Sequence, residues 1–133
     1  MQSPAVTAPV NGHPRVLIID RHEVSPGVWS ALLRTEGLQV VADVADAARG
    51  VAAAQALAPD LVLLDVVPGD EQVLDTIHAL QAVANKPTVV LTSSSQRSGL
   101  HLPSDGPPFL AKADICARTL LNASVRRGEI TPK

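Results

Sequence analysis

Residues 59–65 read PDLVLLD, and this short stretch decides the class of fold. Residues 61–64 are all apolar, so a strand here would present apolar side chains on both of its faces. Such a strand is typical of a parallel sheet that is covered by helices on both sides, because neither face of the strand meets water. We expect the strand to end at Asp65.

Similar apolar runs recur along the chain and alternate with segments of helical period. Ser25 and Pro26 have the pattern of an N-cap and a first helical residue, and the helix that follows them should stop at Gly37. Residues 45–58 are rich in alanine, which predicts a helix of small side chains lying close to a sheet. The other strand patterns lie at 15–19, 38–42, 88–92 and 109–111, and the other helical patterns begin near residue 70 and cover 114–127.

This alternation predicts an α/β protein with a doubly wound, five-stranded parallel sheet. In such a sheet the ligand site lies at the carboxyl ends of the strands. With 133 residues, the chain has room for one domain, which we assign to residues 14–127. Residues 1–13 are predicted to be a flexible N-terminal tail and residues 128–133 a C-terminal tail, since neither segment has a regular period.

The composition argues against several classes of function. The formal net charge is −2, so no basic surface is expected for direct binding of nucleic acid or of an anionic membrane. Trp29 and Phe109 are the only aromatic residues, which is too few for a surface on which bases stack. The sequence has neither a membrane-spanning run nor a signal peptide pattern, and its single cysteine, Cys116, suits a reducing compartment. We therefore expect a cytoplasmic chain.

Polar side chains stand at the ends of four predicted strands: Asp20, Asp65, Thr92 and Lys112. Because the carboxyl ends of parallel strands meet at one edge of the sheet, these side chains should converge there. The sequence lacks both glycine-rich phosphate loops, GxGxxG and GxxxxGK[ST]. A carboxylate beside a lysine, with a second carboxylate to hold a divalent ion, can instead accept a phosphoryl group.

Four short segments occur in order along the chain: VLIID at 16–20, PDLVLLD at 59–65, VVLTSS at 89–94 and PFLAKAD at 108–114. Together they resemble the CheY-like receiver domains of bacterial two-component response regulators, over roughly residues 14–127. The resemblance implies the flavodoxin-like topology of that family. It also implies a phosphoryl acceptor, rather than an enzyme, that works with a histidine kinase or phosphotransfer protein and then with a downstream protein or a second copy of itself.

The resemblance assigns a role to each matching residue. By position, Asp65 is the phosphoacceptor and Asp20 an acidic residue of a Mg²⁺ site, to which Asp65 itself and the backbone carbonyl of Val67 also belong. Thr92 and Lys112 are implied as the switch hydroxyl and the lysine that contacts the phosphoryl group. Phe109 stands where the family carries an aromatic switch residue.

Each role also has a plainer structural interpretation. An aspartate at the end of a strand often forms a turn or caps a helix, which would explain Asp65. Thr92 could be a β-branched residue that closes a strand, and Lys112 a solvated charge at the sheet edge. Phe109 lacks a hydroxyl and could simply pack in the core.

The chain departs from the family pattern at three places. Arg21 replaces the second of two adjacent acids after the first strand, and that acid normally binds Mg²⁺ directly, so metal binding should be weak. In the loop after Asp65, proline comes one position early, at Pro68, which puts the assignment of Val67 in doubt. Residues 93–107 contain glycines and prolines that interrupt any helical period, so the fourth helix of the family should be eroded.

Three functional hypotheses follow. The first is an atypical receiver that is phosphorylated on Asp65 with weakened metal binding. The second is a pseudo-receiver, which keeps the fold but acts as an interaction module without phosphorylation. The third, a small enzyme or ligand-binding domain of flavodoxin-like topology, is disfavoured because the phosphate-binding loops that it would need are missing.

Overall fold

The computed structural model describes residues 14–20, 27–67, 71–93 and 106–127, with side chains described as far as residue 123. Five parallel strands form one sheet in the order β2-β1-β3-β4-β5. This arrangement confirms the predicted doubly wound, flavodoxin-like class. The strands are β1 (Arg15–Ile19), β2 (Gln39–Val44), β3 (Leu61–Asp65), β4 (Thr88–Ser93) and β5 (Phe109–Ala111).

Helices follow β1, β2, β3 and β5 and lie on both faces of the sheet. The described helices are α1 (Val28–Thr35), α2 (Ala47–Leu57), α3 (Val73–Gln81) and α4 (Ala117–Arg127), and a single 3-10 turn (Lys112–Asp114) follows β5. No helix within the described ranges has the length and apolar character needed to cross a membrane. The predicted erosion of the family's fourth helix falls on residues 93–107, and residues 94–105 of that segment lie outside the described part of the chain.

Two helix starts differ from the sequence-based prediction. The first helix begins at Val28 rather than at Pro26, because Gly27 has a φ of 84° and this left-handed conformation cannot continue a helix. Ser25 and Pro26 themselves lie outside the described residues. The last helix begins at Ala117 rather than near Asp114, because the intervening residues form the 3-10 turn and an extended link at Ile115.

The core consists of two clusters, one on each face of the sheet, because successive side chains of a strand point in opposite directions. Leu17 and Ile19 of β1 belong to the cluster beneath α2 and α3, together with Val62, Leu64 and Leu91. The opposite cluster lies beneath α1 and α4 and contains Val16, Ile18, Leu61, Leu63, Val90, Leu33 and Leu120.

Helix α2 lies close to the sheet, as its small side chains predict. A Cβ atom added at Gly50 would stand only 2.6 Å from Cγ1 of Ile19, so no side chain fits at this position without displacing the strand residue. Ala54, one turn later, is completely buried. The helix begins after Asp46, whose carboxylate accepts a 2.8 Å hydrogen bond from the Arg49 backbone N–H.

Candidate functional site

The candidate site lies at the carboxyl ends of the central strands β3 and β4. Asp65 ends β3 and is directly opposite Thr92 of β4 in the parallel register. The backbone N–H of Val66 donates a 2.7 Å hydrogen bond to the carbonyl oxygen of Thr92, so the two strands stay joined just past the aspartate. This pairing fixes the position of the Asp65 backbone at the edge of the sheet.

Lys112 reaches Asp65 from the other side of β4. Its Nζ atom lies 3.6 Å from Oδ1 of Asp65, and only 2% of the Asp65 side chain is exposed against 24% for Lys112. Since β5 is the neighbour of β4 and not of β3, the lysine side chain passes the end of β4 to make this contact. Lys112 is therefore not the solvated edge charge of the plainer interpretation, although its role in any reaction stays a prediction.

The ammonium group of Lys112 also meets an aromatic ring. Its Nζ atom lies 4.8 Å from the centroid of the Trp29 ring, within the range of a cation–π interaction. Trp29 is in the first turn of α1 and packs, partly buried, against the cluster beneath α1 and α4. No sequence signal pointed to Trp29, because nothing local indicates which side chain of α1 will face the end of β5.

Asp20 follows β1 and lies at the same edge. Ile19 pairs with Leu64 in the β1–β3 register, so Asp20 and Asp65 each stand one residue beyond that pair. The backbone N–H of Asp20 donates a 2.9 Å hydrogen bond to the Val44 carbonyl, and the residue is only 8% exposed. Asp20 also acts on Asp43 of β2. The pKa of Asp43 lies above the ordinary carboxyl value, mainly because of burial and further because of the negative charge of Asp20, while the positive charge of Arg34 lowers it.

Thr92 and Phe109 occupy different environments. Thr92 is completely buried, and within the described part of the chain its hydroxyl oxygen has no hydrogen-bond partner. A buried hydroxyl without a partner is costly, so this group can readily bond an acceptor that enters the site. Phe109 is half-buried, pairs with Leu91 across the β4–β5 register and packs against the cluster beneath α2 and α3. The switch role of Phe109 stays a prediction.

The residues present fit a hydrated divalent cation. Mg²⁺ is commonly held by one or two carboxylates while it keeps several of its waters, and Asp20 and Asp65 supply such a pair at one sheet edge. Among the described residues no group of three or more His, Cys, Asp or Glu side chains could hold a metal ion. Val67 is 39% exposed, and Arg21, the predicted cause of weak binding, lies outside the described residues.

The architecture matches that of solved receiver domains. The signal receiver domain of NarL from Mycobacterium tuberculosis superposes with a TM-score of 0.64 at 23% identity, covering 87% of this chain and 95% of that domain. The chain has the fold of receiver domains. The expectation drawn from the four sequence segments is thereby confirmed at the level of the fold.

Two curated proteins are similar to this chain in sequence. The DNA-binding response regulator MtrA of Mycolicibacterium smegmatis is 30% identical over 125 residues, which are 89% of this chain and 53% of MtrA. The transcriptional regulatory protein PdtaR of Mycobacterium tuberculosis is 31% identical over 97 residues, 73% of this chain and 47% of PdtaR. The chain thus spans about half the length of the curated relatives that it matches. No family model matches the chain.

Proposed function

We propose that this receiver domain accepts a phosphoryl group on Asp65 in two-component signalling. The observation that carries the proposal is the buried Asp65 carboxylate with the Lys112 ammonium 3.6 Å from its Oδ1 atom. A lysine in this position can neutralise the charge that develops on the transferred group. The buried hydroxyl of Thr92, opposite Asp65 in the strand register, supports the same function because it can donate a hydrogen bond to the product.

The reaction begins with attack of an Asp65 carboxylate oxygen on the phosphorus of a phosphohistidine. The P–N bond of the donor breaks, the leaving imidazole takes up a proton, and an acyl phosphate forms on the aspartate. Lys112 is close enough to follow the growing charge from the carboxylate to the phosphoryl oxygens. Water later attacks the acyl phosphate, which releases inorganic phosphate and regenerates the Asp65 carboxylate.

A divalent ion is proposed as the cofactor, held by the carboxylates of Asp20 and Asp65. When bound, Mg²⁺ neutralises negative charge on the transferring oxygens. We infer that the ion is held weakly, because Lys112 already faces the Asp65 carboxylate and Arg21 stands where receiver domains normally supply a third acid. Saturation of the site should therefore need a high concentration of Mg²⁺.

The proposed partners follow from the chemistry of the donor and of the product. The phosphoryl donor would be a histidine kinase or a phosphotransfer protein, and the phosphorylated domain would act in the cytoplasm on a downstream protein or on a second copy of itself. The names of MtrA and PdtaR describe DNA-binding and transcriptional regulation by those proteins. With a net charge of −2, this chain is proposed to act through protein contacts rather than by binding nucleic acid directly.

Intact-mass spectrometry after incubation with phosphoramidate, with and without Mg²⁺, tests the proposal. Wild-type protein should gain one phosphoryl mass in the presence of Mg²⁺, and Asp65→Asn should gain none. Asp75→Asn is the matched control, because Asp75 is an exposed aspartate of α3 and this variant should label like the wild type. Labelling of Asp65→Asn would refute the assignment of the acceptor. Absence of label in the wild type would favour the pseudo-receiver, an interaction module that works without phosphorylation.

A further inference from the structure

The Lys112 ammonium contacts both a carboxylate and an aromatic ring, which come from two different elements of the fold. Its Nζ atom is 3.6 Å from Oδ1 of Asp65 on β3 and 4.8 Å from the centroid of the Trp29 ring on α1. The lysine thus joins the first turn of α1 to the end of β3. The proposed reaction uses the contact with Asp65 and gives no role to the indole ring.

We propose that Trp29 is the positioning residue of the site, which holds the Lys112 ammonium against Asp65; this inference rests on the proposed phosphoryl transfer to Asp65. A lysine side chain has four flexible methylene groups, and its ammonium is strongly hydrated, so it tends to move into water. The face of an indole ring carries negative electrostatic potential and attracts the cation. The ring therefore restricts the ammonium to the side of the site on which Asp65 lies.

The ring can perform this role because the fold holds it in place. Trp29 packs against the cluster of buried residues beneath α1 and α4, which includes Val16 and Ile18 of β1 and Leu33 of α1. The lysine, by contrast, is attached to the 3-10 turn after a strand of only three residues. A rigid ring on the well-packed helix thus orients a flexible side chain on a less extensively paired segment.

The first test concerns the contact itself and needs no phosphorylation. In NMR spectra of the unphosphorylated protein, the ε-methylene protons of Lys112 should show an upfield ring-current shift, because the side chain lies over the indole face. Trp29→Leu should abolish this shift, and Trp29→Phe, which keeps an aromatic face of smaller size, should retain part of it. A Lys112 resonance at the position of an ordinary exposed lysine in the wild type would overturn the proposal.

The second test measures the rate at which phosphoramidate labels Asp65. Trp29→Leu should slow labelling by about threefold to tenfold, and Trp29→Phe should stay within about twofold of the wild type, since the cation–π attraction is lost in one and kept in the other. Leu121→Ala is the control for packing alone, because Leu121 contacts the same buried cluster. This control should lower the melting temperature but leave the labelling rate within about twofold.

The two measurements separate failure of this inference from failure of the proposed function. Labelling of Trp29→Leu at the wild-type rate, in a variant whose circular dichroism shows it to be folded, would overturn the positioning role while leaving Asp65 as the acceptor. If the wild type takes up no phosphoryl group, the proposed function fails. The ring-current shift and its loss in Trp29→Leu then decide whether Trp29 positions Lys112.

Discussion

The carboxylate of Glu36 accepts a 2.7 Å hydrogen bond from the backbone N–H of Ala117, so the end of α1 is joined to the beginning of α4. The first backbone N–H groups of a helix have no partner within the helix, and a carboxylate at this end also interacts favourably with the helix dipole. Glu36 is exposed, yet it connects two helices that pack on the same face of the sheet.

Replacement of Glu36 should show what this connection contributes. Glu36→Ala is expected to reduce the free energy of unfolding by about 0.5–1 kcal/mol, since it removes the acceptor of the Ala117 N–H. Glu36→Gln should cost less, because the amide oxygen can still accept the bond. Urea denaturation provides the measurement, and Gln55→Ala on the exposed side of α2 serves as the control. Equal stability of Glu36→Ala and the wild type would contradict the capping role.

The thiol of Cys116 should react with alkylating agents at a lower pH than an ordinary cysteine. Hydrogen bonds from the backbone N–H and the hydroxyl of Thr119 lower the pKa of Cys116 and outweigh the opposing effects of burial and of the Glu36 charge. Thr119→Val keeps the N–H but removes the hydroxyl, so the pKa should move part of the way back up.

The pH dependence of iodoacetamide alkylation gives this pKa directly. Thr119→Val should shift the midpoint to higher pH, and Glu36→Gln should shift it to lower pH, because a negative charge beside the thiolate is removed. Thr76→Val is the matched control, because it likewise removes a threonine hydroxyl from a helix, but from α3, which does not carry Cys116. A midpoint in Thr119→Val identical to that of the wild type would rule out the hydroxyl as a cause.

Removal of the Lys112 ammonium should destabilise the fold. Lys112→Met takes away the positive charge that faces the buried Asp65 carboxylate, and we expect a loss of about 1–3 kcal/mol in urea denaturation. Lys86→Met, at an exposed lysine, should stay within about 0.5 kcal/mol. Addition of Asp65→Asn should recover most of the loss, since the buried charge is then absent. Wild-type stability of Lys112→Met would show that burial of the Asp65 carboxylate does not depend on the Lys112 charge.

Gly50→Ala should also be destabilising, although alanine is the better helix former by about 1 kcal/mol. The new methyl group would overlap the side chain of Ile19, which is completely buried and cannot turn away, so a net cost of about 1–3 kcal/mol is expected. Ile19→Val removes Cδ1, the nearer of the two Ile19 atoms that the new methyl group would overlap, so the cost of the double variant should be less than the sum of the two. Ile18→Val, on the opposite face, should add to Gly50→Ala independently. Simple additivity with Ile19→Val would contradict the overlap.

The strands and their order along the chain could be predicted because their signals are local. Runs such as Val16–Ile19 and Leu61–Leu64 are apolar at every position, which is a property of a few adjacent residues. The structure places all of them in the sheet, completely or almost completely buried. The first helix was predicted to begin too early because its start depends on the conformation of Gly27, a residue whose backbone freedom permits more than one outcome.

The candidate site was predictable in part for the same reason. Parallel strands share an edge, so Asp20, Asp65, Thr92 and Lys112 were expected to converge, and the structure brings Lys112 to Asp65 and pairs Asp65 with Thr92. The functional roles of these residues remain predictions. The predictions that depend on Arg21 and on residues 94–105 concern residues outside the described part of the chain.

By itself, the sequence determined which segments are strands, that the sheet is parallel, and which polar residues stand at its carboxyl edge. Only the tertiary structure decided that Trp29 lies under the Lys112 ammonium and that Glu36 reaches the N–H of Ala117. The physical reason is the separation along the chain of the residues that determine each feature. Apolar periodicity is set by neighbours along the chain, whereas these two contacts depend on the packing of α1 against the sheet and on the position at which β5 and α4 meet it.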